Sequence, residues 1–231
     1  MSSPTPHQPP MPFSHESVVR CHGTNVINVI YTNQATTVDA WIDKVEAILG
    51  AAKSKIVGVD VEYTRNGFRL RKVVVLQLCV GKDCLVYHAC NADEPSTKLH
   101  PFLQNWHYRF AAFDTTNDIK VMARSGMFIT PCSHKDIQTV WRDPDNKKPR
   151  CRKQGLKDVA AAIIDPYYEN MKDGFGEEEH KIWADAPLPP KHLEYTARDA
   201  YAAYEIYRRL DVFERGFFSL YKNPEKKRAR Y

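Results

Sequence analysis

A short apolar run at residues 56–62, IVGVDVE, constrains the fold most strongly because two acids interrupt it. Its β-branched residues and the lysine-rich turn before it are typical of a central strand buried on both faces. On a strand, Asp60 and Glu62 project from one face, while Val61 points to the other. Burial penalises two neighbouring carboxylates that repel each other, so the pattern favours a hard metal ion held by oxygen ligands. The alternative is that both acids emerge at a solvent-exposed strand end.

The elements around this run predict an α/β fold with one sheet. Apolar and β-branched runs predict further strands at residues 24–31, 73–80, 84–89 and 109–113, with a tight turn at GKD before residue 84. Apolar residues at helical spacing predict helices at residues 37–53, 96–106, 154–164 and 190–214, and another that follows residue 113. Strands come first and helices dominate the C-terminal half, and the length of 231 residues fits one domain.

Both ends of the chain are expected to lie outside that domain. Residues 1–20 begin with a proline-rich stretch without an apolar run, which predicts a disordered arm and argues against a secretory signal. Residues 216–231 are basic and polar and are expected to project as a tail, which leaves residues 21–215 as the folded unit. Charges interrupt every hydrophobic segment, so neither a membrane span nor a membrane partner is expected.

The net charge of +5 is concentrated in one stretch. Residues 142–157 hold seven basic and two acidic side chains, a balance equal to that of the whole chain. Such a stretch favours a polyanionic partner, because neutralising phosphates drives sequence-independent binding of nucleic acid. An ordinary solvated loop is the alternative. The basic residues expected to contact a nucleic-acid backbone are Lys147, Lys148, Arg150, Arg152 and Lys153.

A second candidate pair lies in HLEYTARDAY, at residues 192–201. Tyr195 and Asp199 are four residues apart on a strongly helical segment, so they lie one turn apart on the same face. A phenol beside a carboxylate can position a water molecule that a metal ion acidifies. An ordinary helix with a half-buried tyrosine would show the same pattern.

A further acid, Asp118, follows the apolar strand FAAF at the start of a predicted helix. Its spacing to Ile119 and Met122, the expected apolar face of that helix, favours it as the site residue. The neighbouring Asp114 and Asn117 look more like turn and cap residues.

Taken together and in this order, the three segments resemble the exonuclease motifs of the DEDD superfamily, in the branch with a tyrosine in the third motif. They read VGVDVEYTRN, FAAFDTTNDIKVMARSG and PLPPKHLEYTARDAYAAYEIYRRL, and the likeness covers residues 24–215. The chain is most similar to Werner-syndrome-type exonuclease domains, particularly the small stand-alone forms of plants. Ribonuclease D and proofreading domains are more distant relatives.

This resemblance implies a ribonuclease H-like fold, with a mixed sheet of five or six strands, helices on both faces and acids converging at the strand ends. It implies that two Mg²⁺ or Mn²⁺ ions share Asp60, and that Tyr195 orients the attacking water. Nucleoside 5′-monophosphates would then leave one at a time from a free 3′ end. The implied metal ligands are Asp60, Glu62, Asp118 and Asp199.

Departures from the family pattern bear on substrate preference. Tyr63 stands where the family often has tryptophan, and the second motif lacks the usual glycine before its acid. The segment MKDGFGEEEHKIW replaces a Lys-Ser…Ser-x-Trp linker, which leaves Lys181 and Trp183 as partial matches. Residues beside the motif acids are expected to hold the terminal nucleotide by stacking or hydrogen bonds. They are Tyr63, Thr64, Asn66 and Asn117.

Two other functions stay open beside a DNA exonuclease. An RNase D-like activity on RNA is one, because two-metal phosphodiester chemistry ignores the sugar unless a side chain senses the 2′-hydroxyl. A catalytically idle nucleic-acid-binding module of the same fold is the other. The retained acids argue against an idle module, since closely placed carboxylates repel one another without metal.

The segment KKRAR at residues 226–230 predicts a nuclear location, with the cytoplasm as the alternative if these residues are only a solvated terminus. The chain carries no helicase-sized extension. Any helicase or repair partner is therefore expected to be a separate protein.

Overall fold

The computed structural model of the chain describes residues 11–63, 72–113, 115–140 and 155–222. Within these residues, the strands are β1 Ser14–Arg20, β2 Val26–Thr32, β3 Ile56–Tyr63, β4 Val73–Val80, β5 Asp83–Tyr87, β6 Arg109–Ala112 and β7 His134–Asp136. They form one seven-stranded sheet in the order β1-β2-β5-β4-β3-β6-β7. The pairs β2/β5, β3/β6 and β6/β7 are parallel and the other three are antiparallel, so the sheet is mixed.

The helices of the described chain are α1 Ala35–Ala51, α2 Leu99–Gln104, α3 Thr115–Arg124, α4 Ile137–Val140, α5 Leu156–Ile163 and α6 Pro190–Lys222. They pack on both faces of the sheet. Buried residues of α1, α2 and α3 form one core with one face, whereas α4, α5 and α6 form a second core with the other. None of the helices in the described ranges has the length and apolar character needed to span a membrane.

The central strand β3 lies between β4 and β6 and divides its side chains between the two cores. Val57, Val59 and Val61 pack in the core of α1, α2 and α3. Ile56 packs in the opposite core, and Gly58 lies directly under the backbone of α6. Because side chains alternate along a strand, Asp60 and Glu62 continue the row that faces α6.

The predicted α/β class and the mixed sheet with helices on both faces are confirmed, but the expected five or six strands are wrong. The sequence missed the edge strands β1 and β7. Strand β7 has only three residues, HKD, and therefore carries no apolar signal.

The prediction of a disordered arm over residues 1–20 is wrong for residues 14–20. These residues form β1, which pairs antiparallel with β2 along its whole length. An edge strand needs a partner on one side only, so mostly polar, exposed residues can form it. At the other end, α6 continues to Lys222 and enters the predicted tail of residues 216–231.

Several predicted features lie outside the described residues and stay predictions. They are Thr64, Asn66, the basic residues Lys147, Lys148, Arg150, Arg152 and Lys153, and the KKRAR segment at 226–230.

Candidate active site

A cavity of about 160 Å³ lies at the C-terminal end of β3. It draws together residues that are far apart in sequence, from β3, α3, α6 and the chain that leads into α6. All five residues predicted to be catalytic line it, together with Tyr63, one of the four residues expected to hold the terminal nucleotide. The lining residues are Asp60, Val61, Glu62, Tyr63, Asp118, Lys172, His180, Trp183, Tyr195 and Asp199.

The acids of β3 lie in an environment that opposes their charge. Burial raises the pKa of Asp60 well above its ordinary value, and the negative charges of Asp199 and Asp118 raise it further. Burial and the charge of Asp60 likewise raise the pKa of Glu62. A nearby cation, Lys172, acts in the opposite direction on both acids. The site therefore concentrates negative charge that the surrounding protein only partly neutralises.

Helix α6 supplies Tyr195 and Asp199, one turn apart and both buried. Lys172 bridges them: its Nζ atom donates to Tyr195 Oη at 3.0 Å and to Asp199 Oδ2 at 2.9 Å. Burial alone would lower the pKa of Lys172, but the Asp199 carboxylate and Tyr195 raise it above its ordinary value. Lys172 is therefore a fixed positive charge between the phenol and the carboxylate.

Asp118 reaches the cavity from the first turn of α3. The side chains that anchor this helix in the core are Val121 and Met122. The sequence had assigned Ile119 to the apolar face, but it is 43% exposed, so that part of the argument for Asp118 is wrong. Asn117 is exposed and does not line the cavity, so its contact with the terminal nucleotide stays a prediction.

Residues 165–188, here called the covering segment, supply side chains that sequence reasoning missed. Lys172 and His180 line the cavity, and His180 Nδ1 lies 3.9 Å from Glu62 Oε2. Of the two partial matches to the family linker, Trp183 lines the cavity, whereas Lys181 is exposed and pairs with Glu178. The segment contains short 3₁₀ turns rather than long periodic elements, so its pattern could not indicate which side chains point inward.

Aromatic rings hold the covering segment against Tyr195. The ring of Phe175 stacks on that of Tyr195, with centroids 3.8 Å apart and an interplanar angle of 18°. Trp183 is buried and packs against both rings, with its centroid 5.7 Å from that of Phe175 and 6.1 Å from that of Tyr195. Its indole nitrogen donates to His180 Nδ1 at 3.3 Å. This packing restricts the Tyr195 phenol to one orientation in the cavity.

Polar contacts fasten the covering segment to the start of α6. Lys191 Nζ donates to the Gly174 carbonyl at 2.6 Å and to Glu179 Oε1 at 2.8 Å. Farther along, the Leu188 amide donates to Tyr31 Oη at 2.8 Å, which joins the end of the segment to β2. The covering segment is thus fastened in its middle and at its C-terminal end.

The donor set fits a hard divalent cation. Carboxylate oxygens are the ligands that Mg²⁺ and Mn²⁺ prefer, and buried Asp199 Oδ1 accepts no hydrogen bond from any described residue. In the part of the chain that the structure describes, no group of three acidic, histidine or cysteine side chains is already placed to bind one metal ion. Lys172 instead contacts Asp199, so metal binding requires adjustment of these side chains.

In this α/β fold, acids at the end of a central strand face a helix that bears a tyrosine and another acid. The chain belongs to the 3′–5′ exonuclease family, whose family model matches residues 30–212. A curated relative from Arabidopsis thaliana, named 3′-5′ exonuclease, is 23% identical over 190 residues, which are 78% of this chain. The chain spans 62% of that relative's length.

Solved structures of other proteins share this fold. The exonuclease domain of Aedes aegypti Nibbler matches with a TM-score of 0.58 and 16% identity, over 84% of this chain and 91% of its own. Trypanosoma brucei RNase D, solved with GMP, matches with a TM-score of 0.60 and 16% identity, over 78% of this chain and 56% of its own. The predicted ribonuclease H-like fold and DEDD superfamily are confirmed, whereas the Werner-type subgroup stays a prediction.

Proposed function

We propose that the chain is a divalent-metal-dependent exonuclease that releases nucleoside 5′-monophosphates from the 3′ end of a nucleic acid. One observation carries the proposal. The four acids and Tyr195, which come from three distant parts of the sequence, line a single cavity. Membership of the 3′–5′ exonuclease family supports this function for the site.

The residues that would hold two Mg²⁺ or Mn²⁺ ions are Asp60, Glu62, Asp118 and Asp199. When bound, such ions supply Lewis-acid chemistry: they acidify a water molecule and offset charge on the phosphate oxygens. The reaction is a hydrolysis in which the water oxygen bonds to the terminal phosphorus and the bond from phosphorus to the 3′-oxygen breaks. The released 3′-oxygen takes up a proton.

Tyr195 has the properties of a group that orients water. Burial and the Asp199 charge raise the pKa of its phenol above the ordinary value, so it stays protonated at neutral pH. A neutral phenol can donate and accept hydrogen bonds but does not serve as a strong base. The stacked Phe175 ring and Lys172 fix its position, which aligns the water with the scissile phosphate.

The first test is mononucleotide release from a 5′-labelled DNA duplex with a recessed 3′ end, in Mg²⁺ or Mn²⁺. We expect a ladder that shortens from the 3′ end and disappears in EDTA or with Asp60→Asn. Glu178→Gln is the matched control, because Glu178 is an exposed acid of the covering segment outside the cavity. No product from DNA or from RNA would overturn the proposal in favour of a binding module.

We propose DNA as the preferred substrate, on the likeness of the three motifs to Werner-type domains. RNA is the second candidate, since a structure of Trypanosoma brucei RNase D in complex with RNA U12 shares this fold over 76% of the chain, with a TM-score of 0.51. Parallel digestion of DNA and RNA strands of one sequence distinguishes them. Faster release from RNA would overturn the DNA preference and leave the exonuclease proposal intact.

We further propose that residues 142–157 contact the phosphate backbone of the substrate. Their excess of basic side chains supports this role. Neutralising Lys147, Lys148 and Arg150 should weaken binding about equally across sequences and lower the salt slope by about one for each lost contact. An unchanged salt slope would contradict the proposed contact.

We also propose a nuclear location, supported by the basic segment at 226–230. Microscopy of a fluorescent fusion, with and without alanine at these basic positions, tests it. Equal nuclear signal from both fusions would contradict an import role for this segment.

A further inference from the structure

Gln77 is a buried amide in the middle of an otherwise apolar strand. The sequence of β4 is VVVLQLCV, and every residue in it is buried. Gln77 itself is completely buried, like Leu76 and Leu78 beside it. A polar side chain in such a place lowers stability unless hydrogen bonds satisfy it.

The fold does not satisfy this amide. No residue in the described part of the chain donates a hydrogen bond to Gln77 Oε1. Its Nε2 atom donates one long hydrogen bond, of 3.4 Å, to the carbonyl of Val75. An apolar side chain of similar size would serve the core better, so the polar group requires another explanation.

The position of Gln77 in the sheet supplies that explanation. In the antiparallel pairing of β3 with β4, Gln77 lies directly opposite Asp60. Side chains of opposed residues project from the same face, with Cβ atoms about 4.5–5.5 Å apart. That face is the one toward α6, where Val75 and Cys79 also pack. The amide is therefore next to Asp60, one of the two acids by which β3 lines the cavity.

We propose that Gln77 is a positioning residue for Asp60, with its side-chain amide donating a hydrogen bond to the Asp60 carboxylate and fixing its orientation toward the metal. This inference rests on the proposed function, because it treats Asp60 as a metal ligand. In the structure the amide nitrogen pairs with the Val75 carbonyl, so the proposed hydrogen bond requires the Gln77 side chain to turn its amide toward Asp60. Hydrogen-bond donors behind a metal ligand hold it in its binding orientation, and their loss commonly weakens metal affinity 10- to 100-fold.

A purely structural role predicts something different. If Gln77 only fills space, Gln77→Met would preserve the volume and leave metal affinity unchanged. If it orients Asp60, the same substitution would weaken metal binding while the protein without metal stays as stable or becomes more stable. Metal affinity and metal-free stability thus separate the two roles without any measurement of activity.

The experiment is a Mn²⁺ titration of the full chain without nucleic acid, followed by the EPR signal of free Mn²⁺, with melting curves in EDTA. We expect Gln77→Met to bind Mn²⁺ about 10- to 100-fold more weakly than the wild type. Gln77→Leu is the second variant if Gln77→Met does not fold. Cys79→Ala is the matched control, since Cys79 is buried on the same face of β4 but lies opposite Gly58 instead of an acid.

The outcomes separate this inference from the proposed function. Wild-type binding that Asp60→Asn abolishes and Gln77→Met leaves within about twofold would overturn the role of Gln77 alone. Equal weakening by Cys79→Ala would overturn it as well, because the effect would then come from packing. Failure of the wild type to bind Mn²⁺ would overturn both the inference and the metal-dependent function.

Discussion

The backbone of α6 passes so close to β3 that a Cβ atom on Gly58 would lie 2.2 Å from the carbonyl oxygen of Ala200. Real Cβ atoms essentially never come within 3.0 Å of a non-bonded heavy atom of another residue. Asp60 follows Gly58 on the same face of β3, and Asp199 directly precedes Ala200 on α6. This contact therefore sets how closely the acids of the two elements approach.

Gly58→Ala should lower the free energy of unfolding by about 3 kcal/mol or more, because the neighbouring helix backbone cannot move aside without breaking its own packing. Urea unfolding measures the change. Gly50→Ala is the control: it lies in α1, and its added Cβ would meet no atom within 4 Å. This control should be neutral or stabilising by up to about 1 kcal/mol. Equal stability of the two variants would contradict the close packing at Gly58.

Asp60→Asn should stabilise the protein in EDTA while it removes a metal ligand. The substitution removes a buried charge from a site where Asp199 and Asp118 repel it. The expected gain is about 1–2 kcal/mol, a common size for a single stabilising substitution. Chemical unfolding with and without Mn²⁺ tests this, with Glu178→Gln as an exposed acid expected to change stability by less than about 0.5 kcal/mol. A loss of stability in EDTA would show that Asp60 is structurally required.

Lys172→Met should separate metal binding from turnover. Lys172 competes with a metal ion for Asp199 Oδ2, so its removal should not weaken Mn²⁺ affinity. The same change deprives Tyr195 of a charged hydrogen-bond donor, and kcat should fall at least about tenfold. Lys181→Met is the matched control, because Lys181 is an exposed lysine of the same covering segment and lies outside the cavity. An equal decrease in kcat for both variants would rule out a specific role for Lys172.

The contrast between Asp60 and Lys172 shows what the sequence could predict. Asp60 and Glu62 lie on a strand, where a period of two residues decides locally which side chains share a face. Tyr195 and Asp199 are similarly related by the helical repeat. Lys172 belongs to a segment of short turns, and only tertiary packing of its neighbours against α6 determines that it points inward. The local pattern of residues around Lys172 therefore gave no signal of its position in the site.

The strands also differ in whether the local sequence pattern or tertiary pairing determines them. β4 is apolar apart from Gln77, and the sequence predicts it with the bounds that the structure has, Val73–Val80. The edge strand β1 was missed because its polar residues form a strand only through pairing with β2. Gly58 was also overlooked, since the need for a missing side chain arises from a helix about 140 residues later in the sequence.

A buried histidine makes stability depend on pH. The Leu188 amide donates to Tyr31 Oη, and the Tyr31 hydroxyl is hydrogen-bonded in turn to His88 Nδ1 at 2.8 Å. His88 is completely buried, and burial lowers its pKa to about 4 from an ordinary 6.5. Because the fold favours the neutral ring, the contribution of His88 to the free energy of unfolding is complete above pH 6.5. It decreases as the pH falls below 6.5 and is lost by about pH 4.

The free energy of unfolding should therefore decrease by about 3 kcal/mol more between pH 7 and pH 4 in the wild type than in His88→Gln, which cannot be protonated. Urea unfolding at four pH values across this range measures both slopes, and the difference between them removes the shared contribution of the carboxylates. His107→Gln replaces an exposed histidine and should retain the wild-type slope. Equal slopes of unfolding free energy against pH in the wild type and His88→Gln would show that His88 does not control the acid sensitivity of the fold. A steeper decrease in the wild type toward pH 4 would show that it does.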